Sequence, residues 1–215
     1  MKTRIFPVYL IVLIMMCQYL TFAQDKYKHR GIPSLQSRTH HEITQGFNMK
    51  LLMAPVGIIG KEVFYYFEKP DFAKVIGLEY PEGSLCDHLW SGGIWIGTLV
   101  DTIVNGVIVT KKYVSTSDAA DLSSDGPFFD YISEMTPIDT AHPWRYTSVL
   151  NGDSGAISES DYICEYTDTI IPNDFPLHKP LGVKVIQRSY AWSLAVREPI
   201  IPIEYTLVNI SKKTL

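Results

Sequence analysis

Asn105-Gly106, set between two runs of β-branched residues, constrains this chain more than any other feature. Asn-Gly supplies the two positive-φ positions of a type I′ turn, whose twist matches the strands it joins. Before it runs Gly93-Ile94-Trp95-Ile96-Gly97-Thr98-Leu99-Val100-Asp101-Thr102-Ile103-Val104; after it runs Val107-Ile108-Val109-Thr110-Lys111-Lys112-Tyr113-Val114. The pattern predicts a hairpin in which Val104 faces Val107 and Ile103 faces Ile108. Trp95 and Gly97 then share one face of the first strand, with Ile94 and Ile96 on the other.

The rest of the chain from Phe47 onward reads the same way: short apolar runs rich in Tyr, Ile, Val, Thr and Trp, cut by Gly, Pro, Asn and Asp. Val183 to Trp192 is strand-like. Ile201, Ile203, Tyr205 and Leu207 alternate with Pro202, Glu204, Thr206 and Val208, which suits a strand with one buried face. The link from Ser193 to Pro199 is short enough for antiparallel neighbours and too short for a helical crossover. Pro202 lacks an N–H and is expected at a strand end, a bulge or an edge. Another strand is expected within Ala156 to Tyr166. No window carries helical periodicity with caps, and no repeat is visible. The expected fold is all-β, an antiparallel β-sandwich. The last residues, Ser211-Lys212-Lys213-Thr214-Leu215, follow an alternating strand with no capping element. The expectation is a sandwich incomplete at its C-terminus, the front of a longer polypeptide.

The first 23 residues read as a cleavable signal peptide. Lys2 and Arg4 form a basic start, Ile5 to Met16 an apolar run, and Thr21-Phe22-Ala23 a small-x-small cleavage pattern. The run is shorter than the ~20 residues that span a bilayer. Cys17 raises a lipoprotein alternative, but Met16 stands where a small residue normally precedes a lipidated cysteine. No other segment is apolar enough to cross a membrane. Residues 24–46 are polar and unpatterned, a flexible lead-in, and residues 47–215 make one β-domain. Lys2 and Arg4 are the only charges of the leader, so its removal takes the net charge from −4 to −6. An acidic chain without a Lys/Arg cluster is a poor nucleic-acid binder. Two of the three cysteines lie beyond the leader, Cys86 and Cys164. They are either buried unpaired thiols or a disulfide, and spacing alone does not decide between these.

Four segments imitate functional sites. Gly152-Asp153-Ser154-Gly155 copies a serine-protease nucleophile motif, and Thr140-Ala141-His142 its histidine segment. The two are far too close together for that family's layout, and Ala156-Ile157 follows instead of Gly-Pro; the segment reads as a polar turn. Asn151, Asp153, Ser158, Glu159 and Asp161 form an oxygen-rich cluster that fits either calcium or solvated turns. His40-His41-Glu42 lacks the i, i+4 spacing of a zinc-protease helix and reads as a polar patch. Asn209-Ile210-Ser211 fits a glycosylation sequon, relevant only in a eukaryotic secretory pathway. No catalytic, cofactor or metal residue is assigned. Trp90, Trp95, Trp144 and Trp192 suggest carbohydrate stacking, with Trp90 and Trp95 as candidate ligand contacts; burial in a core is the favoured reading. Gly92, Gly93 and Gly97 would admit a close neighbour.

Gly77-Leu78-Glu79-Tyr80-Pro81-Glu82-Gly83-Ser84, followed by Leu89-Trp90-Ser91-Gly92-Gly93-Ile94-Trp95-Ile96-Gly97, resembles the opening of large secreted proteins from bacteria with a type IX secretion system. Ser160-Asp161-Tyr162 with Cys164 and Tyr166-Thr167-Asp168, His178-Lys179-Pro180-Leu181-Gly182-Val183, Gln187-Arg188-Ser189-Tyr190-Ala191-Trp192 and Ile203-Glu204-Tyr205-Thr206-Leu207-Val208-Asn209-Ile210 continue the resemblance in order. It covers roughly residues 47–215. The resemblance implies an exported protein of a kind that often has fibronectin-like domains and a C-terminal sorting domain, and it brings no catalytic residues. The functional expectation is a non-enzymatic extracellular β-domain with a structural or adhesive role, its partners surface polysaccharide or other cell-surface proteins. A carbohydrate-binding module is the alternative, with a secreted hydrolase third. Intact mass of exported protein should place Gln24, or its cyclised form, first; a product retaining Met1 would remove the signal-peptide reading.

Overall fold

The computed structural model describes residues 43–60, 75–117, 129–170, 178–194, 197 and 199–212. The leader, the His40-His41-Glu42 patch and most of the lead-in lie outside them. The described chain is all-β, with one 3₁₀ turn at Val149–Asn151 as its helical element. Its strands are β1 (Ile43–Gly46), β2 (Lys50–Met53), β3 (Leu78–Glu79), β4 (Trp95–Val104), β5 (Val107–Thr116), β6 (Tyr131–Glu134), β7 (Thr136–Pro137), β8 (Trp144–Thr147), β9 (Ser160–Thr167), β10 (Val183–Ala191) and β11 (Ile203–Asn209).

They form three sheets: β1-β2-β3; β4-β5-β6; and a five-stranded sheet ordered β11-β10-β9-β7, with β8 also on β9. Every ladder is antiparallel except β5–β6. That parallel return uses residues 117–130, a connection of the length parallel neighbours require. β1 lies inside the stretch expected to be lead-in: Ile43 to Gly46 pair with Met53 to Lys50. The polar composition of that stretch hid a strand whose ladder supplies the order.

The hairpin forms in the expected register, with Val104 opposite Val107 and Ile103 opposite Ile108. Asn105 and Gly106 take φ of 52° and 80°, the left-handed pair of a type I′ turn. Val183 onward and Ile203 onward are antiparallel neighbours as expected. Pro202 sits just before β11, and its carbonyl accepts the Tyr190 N–H at 3.0 Å. The buried-face alternation of β11 holds at Ile203 and Tyr205 and fails at Leu207, which is exposed. β11 is the sheet's outer strand, and Leu207 stays exposed although it lies opposite the buried Val185. The strand expected within Ala156–Tyr166 starts at Ser160, because residues 153–159 turn.

Strand parity builds the core. Cys164 and Tyr166 of β9 lie opposite Gln187 and Val185 of β10, on one face. Onto that face pack Leu52, Ala54, Val56 and Ile58, from β2 and the turn after it, and Met135. Ile94, Ile96 and Tyr113 bring the base of the hairpin against the same cluster. The arrangement is sandwich-like: sheet face against sheet face with one apolar interior.

A carboxylate ties two sheets together. Asp168, fully buried, accepts the N–H groups of Leu181 (2.6 Å), Gly182 (3.1 Å) and Val183 (2.9 Å) and the Ser133 hydroxyl (3.1 Å). Its own carbonyl accepts from Nε2 of His178 at 2.6 Å, while Nδ1 of that ring accepts the Glu134 N–H at 3.1 Å. An Nδ1 that accepts carries no proton, so this network assigns the Nε2–H tautomer. Asp168→Asn leaves amide hydrogens facing backbone donors and should cost roughly 3 kcal/mol or more. Asp153→Asn, in an exposed turn, should stay within about 0.5 kcal/mol. Urea titration of the two variants measures both; equal midpoints would remove the central role assigned to Asp168.

Candidate functional site

Trp90 and Trp95 are not core residues. They are 56 % and 54 % exposed, contrary to the buried reading favoured by the sequence. Trp95 opens β4 on the hairpin face that turns away from the core, while Ile94 and Ile96 on the opposite side enter it. Parity thus decides the outcome: a strand that buries Ile96 exposes Trp95. Trp144 packs partly buried on the core, and Trp192 stacks on Tyr190 at 6.3 Å with the Arg197 guanidinium 5.4 Å from its ring. Two of the three glycines do admit close neighbours: a Cβ at Gly92 would stand 2.9 Å from Ile59, and one at Gly93 3.2 Å from Ser117 Oγ. Gly97 has no such neighbour within 3.8 Å.

The imitation sites resolve into turn chemistry. Ser148 caps the 3₁₀ turn, accepting the Leu150 N–H, and Gly152 closes it at φ 74°. Asp153 Oδ1 accepts the Gly155 N–H at 2.9 Å, a short-range turn closure. Asp161 is buried and accepts the N–H groups of Ile157 and Ser158, both at 2.9 Å, and the Ser158 hydroxyl at 2.5 Å. Glu159 accepts the Ser193 N–H at 3.0 Å. The oxygens considered for calcium therefore hold the β8–β9 connection. Among the described residues no three His, Cys, Asp or Glu side chains gather around a common point that would hold a metal. Asn209 closes β11, its Oδ1 accepting the Ser211 N–H and hydroxyl at 2.9 and 2.7 Å.

One concavity among the described residues was not legible in the sequence. It is a cleft of about 310 Å³, at the lower end of the ~300–1,000 Å³ usual for small-molecule sites. Gln45 of β1, Phe47, Tyr146 of β8, and Glu159, Ser160 and Tyr162 around the start of β9 line it. Register places it: Tyr146 lies opposite Tyr162, their rings 5.2 Å apart and inclined at 53°, with Trp144 edge-on to Tyr162 at 6.1 Å. Gln45 is the most buried lining residue, 2 % exposed. Its Nε2 donates to the Ser160 carbonyl at 2.5 Å, and its Oε1 has no hydrogen-bond partner among the described residues. A buried acceptor in that state costs about 1–3 kcal/mol until a donor reaches it. Burial, and secondarily the neighbouring Tyr146, raises the Tyr162 phenol above its ordinary value, so it remains a protonated donor.

No protein-family model, curated protein or solved structure matches the chain. Among the described residues no helix is long and apolar enough to cross a membrane.

Cys86 and Cys164 are both free, Cys86 exposed and Cys164 buried in the core. The expectation of two buried thiols holds for Cys164 alone. Burial, with the adjacent Glu165 charge as a lesser cause, drives the Cys164 thiol far above its ordinary value. It is therefore neither a nucleophile nor a ready disulfide partner. Alkylation of the native protein, mapped by peptide mass, should modify Cys86 and spare Cys164 until denaturant is added; native labelling of Cys164 would show that this part of the core opens.

Proposed function

We propose that this chain is a non-catalytic β-domain of a secreted or cell-surface protein, exported through its N-terminal leader, whose role is structural or adhesive. One observation carries the reading. Two of the three buried carboxylates among the described residues, Asp161 and Asp168, and the buried imidazole of His178 are engaged by backbone groups of the fold. An acid, base or nucleophile needs a lone pair or proton free for substrate, and these groups use theirs to hold strands. Large apolar side chains are offered to the surroundings. Trp95, Leu99 and Ile103 project from one face of β4, with Ile108 across from Ile103, and the last three are each about 70 % exposed. Asp101, Thr110 and Lys112 are exposed on the same face, and apolar side chains set among polar ones in this way suit contact with another macromolecule. The resemblance to type IX-secreted proteins supports the same extracellular setting.

Carbohydrate binding through Trp90 and Trp95 is the second reading, favoured by the exposure of both indoles. One experiment separates the two from a hydrolase. The purified domain is assayed for retention on immobilised surface polysaccharide and on cell-surface protein extracts, and for turnover of ester, peptide and glycoside substrates. The adhesive reading expects retention without turnover, lost in Leu99→Ser/Ile108→Ser and unchanged in Ser154→Ala. Retention on polysaccharide alone, abolished by Trp90→Ala or Trp95→Ala, would establish the second reading. Turnover, or labelling of Ser154 by a fluorophosphonate in the native protein only, would overturn both.

A further inference from the structure

We infer that the cleft between β1 and the β8–β9 strands is a binding site for a single pyranose-sized, polyhydroxylated ring. It shares no residue with the hairpin face, so the inference stands or falls separately from the function proposed above.

The lining chemistry selects the ligand class. Tyr146 and Tyr162, their ring centroids 5.2 Å apart and inclined at 53°, make an angled aromatic wall, with Phe47 adding to the apolar lining. The C–H face of a sugar ring packs against such a wall. Beside it stands an acceptor, the Glu159 carboxylate, which the fold engages through Oε2, while the unpartnered Oε1 of Gln45 is itself buried. The protonated Tyr162 hydroxyl adds a donor. A ring that carries one apolar face and a rim of hydroxyls satisfies the wall and the rim together. An organic ammonium ion would satisfy the acceptor. It could also lie over one ring face, but it would leave the Tyr162 hydroxyl donor without an acceptor. The volume, about 310 Å³, admits one sugar ring with its solvent.

The test uses the full chain and three probe sets followed by calorimetry and tyrosine fluorescence: methyl pyranosides of varied configuration, polysaccharides ending in the same rings, and alkylammonium salts. We expect at least one methyl pyranoside to bind saturably. Tyr146→Ala, an exposed position whose loss the fold tolerates, should weaken it about tenfold or more. Glu159→Gln should weaken it several-fold, and Trp95→Ala should leave it unchanged. Equal affinity for a single-ring glycoside and for a polymer ending in that ring identifies a chain terminus as a competent source; binding of the glycoside alone identifies the free sugar. The inference is overturned if no pyranoside in the panel binds, if a polymer binds where no single ring does, if ammonium salts bind in their place, or if binding survives Tyr146→Ala and fails in Trp95→Ala. Melting curves of each variant separate lost binding from lost folding.

Discussion

The Asp168 carboxylate is the point on which this architecture turns. β9 ends at Thr167 and β10 begins at Val183, and the N–H groups at the head of β10 need acceptors before the ladder can supply them. Asp168 accepts three of them in a row and holds Ser133 of β6 as well. The Thr167 hydroxyl adds a bond to the Val183 carbonyl at 2.9 Å. The return of the chain from β9 to β10 within one sheet is thus fixed by side chains, and the Ser133 bond ties that junction to the β4-β5-β6 sheet. A buried charge is tolerated because every lone pair has a donor.

The same device recurs at smaller scale. Glu79 accepts the N–H groups of Gly83 and Leu85, and Asp87 those of Gly77 and Leu78, closing the loop around β3. Asp130 accepts the Lys112 N–H at 2.8 Å and pairs with Lys111 at 3.2 Å, which hold its carboxyl below the usual range. In a chain with many short strands, the connections carry more unpaired backbone donors than the ladders do. Carboxylates are the side chains that take several at once. The acidic balance of the sequence is therefore in good part loop architecture, which explains why clusters such as Asn151 to Asp161 imitate a metal site.

What the sequence disclosed follows the range of each interaction. The hairpin was legible down to residue pairs because Asn105-Gly106 acts on its immediate neighbours. The β10–β11 pair was legible because a short link leaves few alternatives. The parallel β5–β6 contact and the docking of β7 and β8 along one edge of β9 were not, since nothing local marks a partner chosen across the fold. The exposure of Trp95 was half legible: alternation gave its face, while only packing reveals which face meets the core. The cleft was beyond reach, because Gln45 and the Ser160 carbonyl it binds are 115 residues apart.

The segments on which the proposed resemblance to type IX-secreted proteins rests are largely the ones that hold this fold. Asp168 and His178 to Val183 form the junction just described. Tyr166 donates to Gln187 at 3.0 Å in the core, and Tyr190 donates to Glu204 at 2.6 Å across the last ladder. Gly92 and Gly93 let the strand pass close to Ile59 and Ser117. Of the residues that line the cleft or project from the hairpin, Gln45, Phe47, Tyr146, Leu99 and Ile108 lie outside those segments, while Ser160, Tyr162 and Trp95 lie inside them. The difference between junction and rim has a physical basis. Junction residues answer to backbone geometry, which any chain of this topology must satisfy, whereas rim and hairpin residues answer only to whatever they touch. Chains sharing those segments would accordingly share the scaffold, and each would have to be asked anew what its cleft and hairpin face are shaped to meet.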